Sequence, residues 1–311
     1  MRTDKKWSDA VLKLVSELNN FDYADPSGNR AHTGCVPFYI DGNRVGVIPA
    51  QVMKELPNYP DVFKICTEQS GQCVYLSEQL STEVKKSDVF ERVLMDLRKQ
   101  EKFVTLKGWR NEKYSIFYKL GEPPICHVER AGCPLFGFIQ YGVHVNGYTY
   151  KDGELKMWVG RRSKTKQTFP NMLDNMCAGG LTSGLGITEC TIKECQEEGS
   201  VDDETLKKLK PIGSISYCYI DDRGIEPETQ YLYDLELSPD FVPRNADGEM
   251  QSFHLYSLEE LQDLIIAEEF KPNCALTIID FLIRHGYITP DNEPNYCYII
   301  QRMHISLQPS P

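Results

Sequence analysis

A glycine-rich run, CAGGLTSGLG at residues 177–186, is followed almost at once by an acidic segment, ECTIKECQEEG at residues 189–199. Glycines let the backbone approach a ligand closely, and the helix N-terminus that follows them suits an anion. Glu194, Glu197 and Glu198 have the i, i+3, i+4 spacing that places side chains on one helix face. The alternative is an ordinary solvated face, since Glu268–Glu269 shows that paired acids also occur elsewhere.

The glycine loop and the acids together indicate phosphoryl chemistry. Clustered carboxylates suit Mg²⁺, a hard cation that takes oxygen ligands and bridges substrate phosphates. The sequence therefore predicts Mg²⁺, with Mn²⁺ as a substitute, at Glu194, Glu197 and Glu198. Gly179 and Gly180 are the predicted backbone contacts to the substrate.

Residues 179–201 resemble the Nudix box, G-x5-E-x7-R-E-U-x-E-E-x-G-U, where U is aliphatic. Gly179 aligns with the first glycine, and Glu194, Glu197 and Glu198 align with the metal-binding acids of the family. Three other box positions depart from the pattern: Leu185 replaces a glutamate, Lys193 an arginine and Ser200 a glycine. We expect Glu189, four residues before Lys193, to form the helical ion pair that replaces the lost brace.

The resemblance to Nudix hydrolases implies an α+β chain with an α/β/α Nudix sandwich and a mixed sheet. It also implies a hydrolase of phosphoric anhydrides that acts on a small-molecule diphosphate. Two rival functions remain: a Nudix hydrolase of ADP-ribose or an oxidised nucleotide, or a non-catalytic binding protein on a Nudix scaffold. The departures at Leu185 and Ser200 motivate the binding protein, and the intact acids oppose it.

A narrower resemblance extends over nearly the whole chain. Segments such as ERAGCPLFGFIQYGVHVNGY and FKPNCALTIIDFLIRHGYITPDNEPNY are similar to a eukaryotic Nudix branch related to thiamine pyrophosphokinase. This branch implies cleavage of thiamine diphosphate analogues to monophosphates, with the damaged oxythiamine and oxothiamine forms preferred. The corresponding role is repair of damaged metabolites.

A chain of 311 residues favours two domains. We predict an N-terminal α+β domain at residues 1–133, a Nudix domain at 134–289 and a C-terminal tail at 290–311 that lies across the surface. Helical periodicity marks residues 7–18 and 87–100, and hairpins are predicted at 36–48 and 103–120. Strand patterns in the second domain occupy 136–148, 155–162, 212–220, 229–237 and 249–258, with closing helices at 257–270 and 273–286.

Further candidate site residues flank the box. The run RRSKTK at 161–166 is either a phosphate clamp using Arg161, Arg162 and Lys164 or a solvated strand end. Strand alternation sends Arg161 and Arg162 to opposite faces, so one of them is expected to reach the ligand. The water-activating base is predicted to be Glu198 or Glu249.

Weaker candidates are also present. Glu226 and Glu228 compete with Glu249 for the role of base. Aromatic residues suited to stacking on a substrate ring are Trp158, Phe169, Tyr217 and Tyr231. Cys195 falls on an aliphatic position of the box and is expected to pack in the core.

The net charge of −11 argues against nucleic-acid or anionic-membrane partners, which require a basic face. The 11 cysteines include no C-x-x-C pair, and the six histidines are scattered, so zinc-ligand spacing is absent. Reduced thiols, and a start without signal- or transit-peptide character, predict a cytoplasmic protein. The sequence leaves the oligomeric state open.

Overall fold

The computed structural model describes residues 4–26, 33–69, 71–246 and 248–307. The elements of the first half are α1 (Lys5–Glu17), β1 (Val36–Ile40), β2 (Asn43–Ile48), α2 (Ala50–Met53), β3 (Phe63–Glu68), β4 (Gly71–Leu76), α3 (Glu83–Lys99), β5 (Lys113–Ile116), β6 (Cys126–Glu129) and α4 (Cys133–Phe136). Four strands form a mixed sheet in the order β2–β1–β4–β3, and β5 and β6 form a separate hairpin.

Three predictions for this half are confirmed and one is wrong, and α1 confirms the helix expected at residues 7–18. The β1–β2 hairpin turns at Asp41–Gly42, where both residues adopt positive φ, and α3 matches its helical periodicity. The expected hairpin at 103–120 does not form, because Val104–Gly108 is a 3-10 helix that buries Leu106. Strand β5 instead pairs with β6, which lies beyond Pro123 and Pro124 in the sequence.

The second half holds β7 (Gln140–Lys151), β8 (Glu154–Arg162), β9 (Leu173–Asn175), β10 (Cys177–Gly180), α5 (Ile187–Gly199), α6 (Asp203–Leu206), β11 (Lys210–Ile220), β12 (Ile225–Glu236), β13 (Met250–Ser257), α7 (Leu258–Ile266), α8 (Pro272–Arg284) and α9 (Tyr296–Met303). Its seven-stranded sheet runs β11–β12–β7–β8–β13, with β10 on β7 and β9 on β8. The β12–β7 pair is parallel and the other pairs are antiparallel, so the predicted mixed sheet is confirmed.

Helices pack on both faces of this sheet, and β7 and β8 are therefore buried on both sides. Val143 and Val145 pack with the cysteines of α5, whereas Met157 and Val159 join the core formed with α7 and α8. Strand alternation thus produces the predicted sandwich of helix, sheet and helix.

The two ends of the described chain pack on the second half. Trp7, Val11 and Val15 of α1 are fully buried in the core shared with α7, α8 and α9. In the tail, residues 296–303 form an amphipathic helix that buries Ile299 and Met303 against this core. Within the described ranges, every helix is too short or too polar to cross a bilayer.

Candidate active site

A cleft of about 1200 Å³ lies between the two halves of the chain. Helix α5 contributes Glu194 and Glu197, and strand β10 contributes Gly179 and Gly180. The first half supplies a wall that contains Trp109, Arg110, Glu112, Tyr114 and Arg130. The glycine run and the acidic helix, adjacent in sequence, therefore line one cleft together.

The loop from β10 to α5 is closed by the side chain of Glu189. The Gly186 N–H donates to Glu189 Oε2 at 2.9 Å, which satisfies an amide at the helix N-terminus. The prediction of a Glu189–Lys193 ion pair is therefore wrong, because the Glu189 carboxylate accepts the Gly186 N–H at the start of the helix. Lys193 instead lies 2.6 Å from Glu197 Oε2.

The Glu194 carboxylate lies in the cleft wall with little positive charge near it. Its side chain is 14% exposed, and its single ion contact among the described residues is Lys193 at 4.0 Å. Burial raises the pKa of Glu194, and Lys193 opposes this rise. A half-buried carboxylate without a close donor suits a bound cation.

Glu197 and Glu198 differ in environment although they are adjacent. Glu197 is exposed on the cleft side and pairs with Lys193. Glu198 is 1% exposed and accepts the Ala178 N–H at 2.8 Å, which joins α5 to β10. Burial, followed by the charge of Asp174, raises the pKa of Glu198 well above its usual range.

The basic residues of the run at 161–166 point to different sides of the sheet, and only some of them reach the cleft. Arg162 and Lys166 line the cleft, whereas Arg161 pairs with Glu269 at 2.9 Å and Lys164 is exposed outside the cleft lining. Arg162 is buried in an ion pair with Asp174 at 2.5 Å.

The predicted acids outside the box also line the cleft. Glu249 forms an ion pair with Lys166. Burial raises the pKa of Glu226 to about 7, and nearby Arg223 opposes this rise. Glu228 accepts hydrogen bonds from Tyr217 Oη, at 2.8 Å, and from the Gln230 amide.

The aromatic candidates fall into two pairs. Phe169 and Tyr217 both border the cleft, but Tyr217 is fully buried, so Phe169 alone of this pair leaves its ring partly exposed to a substrate. Trp158 and Tyr231 pack in the core beneath α5. Cys195 is fully buried in that same core, which confirms its packing role.

A buried cluster that sequence spacing could not reveal contains His144, Asp174 and Cys274, whose ligand atoms lie within 4.8 Å of one another. The Cys274 thiol donates to Asp174 Oδ1 at 2.7 Å. Burial lowers the pKa of His144 to about 4, so the ring is neutral. Asp174 is already matched by the Arg162 guanidinium, so the cluster is a satisfied polar core and not a metal site.

The first half contributes site residues that the sequence analysis missed. Glu112 accepts from Thr182 Oγ1 of the glycine loop at 2.8 Å and from Arg130 at 2.9 Å. Arg110 and Tyr114 stand beside this network in the cleft wall. These residues belong to no motif, and the sole signal there is the charged run of WRNEKY (109–114), which is flanked by two aromatic residues.

Comparisons with known proteins match both halves. A model described as a domain of unknown function, DUF4743, matches residues 10–140, and the NUDIX domain model matches residues 141–274. Arabidopsis thaliana "Nudix hydrolase 20, chloroplastic" is 34% identical over 96% of this chain and 82% of its own length. The Saccharomyces cerevisiae protein YJR142W is 40% identical over 85% of this chain and 81% of its own.

A solved Caenorhabditis elegans Ap4A hydrolase is similar at 16% identity, covering 48% of this chain and 99% of its own with a TM-score of 0.36.

Proposed function

The chain belongs to the Nudix hydrolase family, and from that premise we propose that it cleaves the diphosphate of thiamine diphosphate analogues to monophosphates. The family assignment makes it a hydrolase of phosphoric anhydride bonds. The thiamine-type substrate is the proposal, and oxythiamine and oxothiamine diphosphate are its favoured forms.

The observation that carries the substrate proposal is the wall of the cleft formed by β11 and β12. Tyr217, Glu228 and Gln230 make a connected hydrogen-bonded group there, with Glu226 beside it. Carboxylates next to aromatic rings suit a positively charged aromatic ring or an amino-substituted pyrimidine. A diphosphate alone needs no such wall.

The residues of the box suit a divalent cation, and Mg²⁺ is the proposed one. Glu194 and Glu197 would hold it, because Glu194 lacks a close donor and Glu197 lies beside it in the cleft lining. Glu198 is buried against the Ala178 N–H and joins them as a third ligand on the box alignment alone. When bound, a divalent cation neutralises charge on the diphosphate and in the transition state.

The protein's own groups orient the attack by water on phosphorus. Gly179 and Gly180 leave room for the Glu194 carboxyl group and the Tyr114 hydroxyl group, and their backbone lines the cleft. Arg162 and Lys166 add positive charge to the cleft wall. We assign the proton from the attacking water to Glu249, which lines the cleft and is positioned by Lys166. Glu198 is the less accessible alternative.

The substrate proposal is tested with a Mg²⁺-dependent panel of thiamine diphosphate, oxythiamine diphosphate, oxothiamine diphosphate and ADP-ribose. Released monophosphate and phosphate are identified directly. The proposal expects the highest kcat/KM for the thiamine analogues. A clear preference for ADP-ribose would replace the substrate class, and no turnover across the panel would favour a binding protein.

A further inference from the structure

One wall of the cleft comes from the first half of the chain and carries two arginines, Arg110 and Arg130. Arg130 lines the same cleft as Glu194 and Glu228, and its charge acts on both carboxylates. It therefore shares the cleft with the Nudix helix and with the proposed ring-binding wall. A diphosphate that bridges these two regions would lie against it.

Arg110 lacks the carboxylate partner that each of the other arginines in the cleft lining has. The other arginines that line the cleft each form an ion pair with a carboxylate: Arg130 with Glu112, Arg162 with Asp174 and Arg223 with Asp221. Arg110 forms no ion pair with any residue that the structure describes. Its guanidinium makes one long contact, from Nη2 to Thr168 Oγ1 at 3.5 Å.

Two guanidinium groups thus lie in one partly buried wall, and only that of Arg130 is paired with a carboxylate there, Glu112. A buried cation without a counter-charge is costly, and two like charges side by side increase the cost. Burial and the charge of Arg130 lower the pKa of Arg110, which reflects the same imbalance. A bound anion with more than one negative charge would balance the excess positive charge of this wall. The planar guanidinium group of arginine also matches the geometry of phosphate oxygens.

The arginine wall is fixed to the glycine loop of the box. The Ser183 N–H donates to the Lys113 carbonyl at 2.9 Å, and Thr182 Oγ1 donates to Glu112 at 2.8 Å. Tyr114 Oη occupies the space beside Gly180, where an added Cβ would lie 1.7 Å away. The β5–β6 hairpin therefore holds the arginines in register with the carboxylates of α5.

We infer that the N-terminal domain completes the active site, with Arg110 and Arg130 binding the phosphate oxygens of the diphosphate substrate beside Glu194. This assignment rests on the proposed diphosphatase function. It gives the first domain a direct role in substrate binding. The Nudix domain by itself supplies the metal-binding carboxylates but lacks these two arginines.

The test uses the full chain and the variants Arg110→Gln and Arg110→Lys. The matched control is Arg92→Gln, since Arg92 lies on the exposed face of α3 in the same half and pairs with Asp61. The measurements are KM and kcat with thiamine diphosphate, the inhibition constant of inorganic pyrophosphate, and the melting temperature. Arg110→Gln should raise KM and the inhibition constant about tenfold or more, with a smaller change in kcat.

Arg110→Lys should give an intermediate KM, because it keeps the charge but loses the fork. The Arg92→Gln protein should match the wild type. The melting temperature of Arg110→Gln should not fall, because the substitution removes an uncompensated charge. A purely structural role for Arg110 would instead lower the melting temperature and leave pyrophosphate binding unchanged.

Unchanged KM and pyrophosphate inhibition in both Arg110 variants would overturn the inference. If Glu197→Gln were inactive in the same experiment, the diphosphatase function would still stand. If the wild-type protein did not turn over any diphosphate of the panel, the proposed function would fail instead, and pyrophosphate binding by calorimetry would still decide the arginine assignment.

Discussion

The carboxyl group of Glu194 occupies the space that a side chain on Gly179 would need, because a Cβ added at Gly179 would lie 2.2 Å from Glu194 Cδ. Gly179 has an ordinary strand conformation, so alanine fits its backbone. Gly179→Ala should therefore fold while forcing Glu194 away from the cleft. We expect kcat/KM to fall about a hundredfold, measured with the best substrate of the panel.

The matched control for that change is Gly186→Ala. A Cβ at Gly186 would lie 3.3 Å from Glu189 Oε2, a contact that a small side-chain shift relieves. Near-wild-type activity in Gly179→Ala would show that the position of Glu194 does not matter for turnover.

Glu198→Gln should stabilise the metal-free protein at neutral pH while reducing activity. Burial raises the pKa of Glu198 well above its reference value of 4.5, so the folded state holds the proton more tightly than the unfolded state. The free energy of unfolding therefore decreases as the pH rises above 4.5, and glutamine removes this loss.

Urea unfolding of both proteins with a chelator, at pH 4 and pH 7, measures this effect. The difference between them should be small at pH 4 and favour the variant at pH 7. A variant less stable than the wild type at pH 7 would mean that Glu198 is ionised and well compensated in the fold.

Lys166 should impose an upper limit on the pH range of catalysis. Burial, and then the charge of Arg162, lowers its pKa to about 8. Its positive charge is present below that pH and is lost above it, so kcat/KM should fall as the pH passes about 8. In Lys166→Arg the charge persists, and the alkaline fall should move to higher pH. An identical profile in the two proteins would exclude Lys166 as the titrating group.

Glu228 tests the ring-binding wall. Glu228→Gln keeps an acceptor for the Tyr217 hydroxyl and removes the negative charge, so the local packing should survive. We expect KM for thiamine diphosphate, whose thiazolium ring is cationic, to rise about tenfold. The inhibition constant of inorganic pyrophosphate should stay constant, because pyrophosphate has no ring. An equal change in both constants would place Glu228 at the phosphate end of the cleft.

The parts of the site that are local in sequence were predictable. Glu194 and Glu197 follow from helical spacing, and Gly179 from the glycine run. The same spacing rule misassigned Lys193, because Glu189 and Glu197 both stand four residues from it. Lys193 pairs with Glu197 because the Glu189 carboxylate is already bound to the N–H of Gly186 at the helix N-terminus.

The remaining parts depend on contacts between distant segments. Glu112 and Thr182 meet across 70 positions, and this contact brings the arginine wall to the cleft. The β5–β6 pairing that carries the wall was assigned wrongly, because the 3-10 turn at Val104–Gly108 has apolar residues that resemble a strand. No local pattern encodes a wall built by docking one domain against another.

The central claim is that the carboxylates of α5 hold the divalent cation that catalysis requires. Its most direct test is the Mg²⁺-dependent turnover of Glu197→Gln, with Glu189→Gln on the same helix as control. We predict that kcat falls at least about a hundredfold in Glu197→Gln, with an unchanged melting temperature and near-wild-type activity in the control. Wild-type turnover by Glu197→Gln at the same Mg²⁺ concentration would contradict the claim.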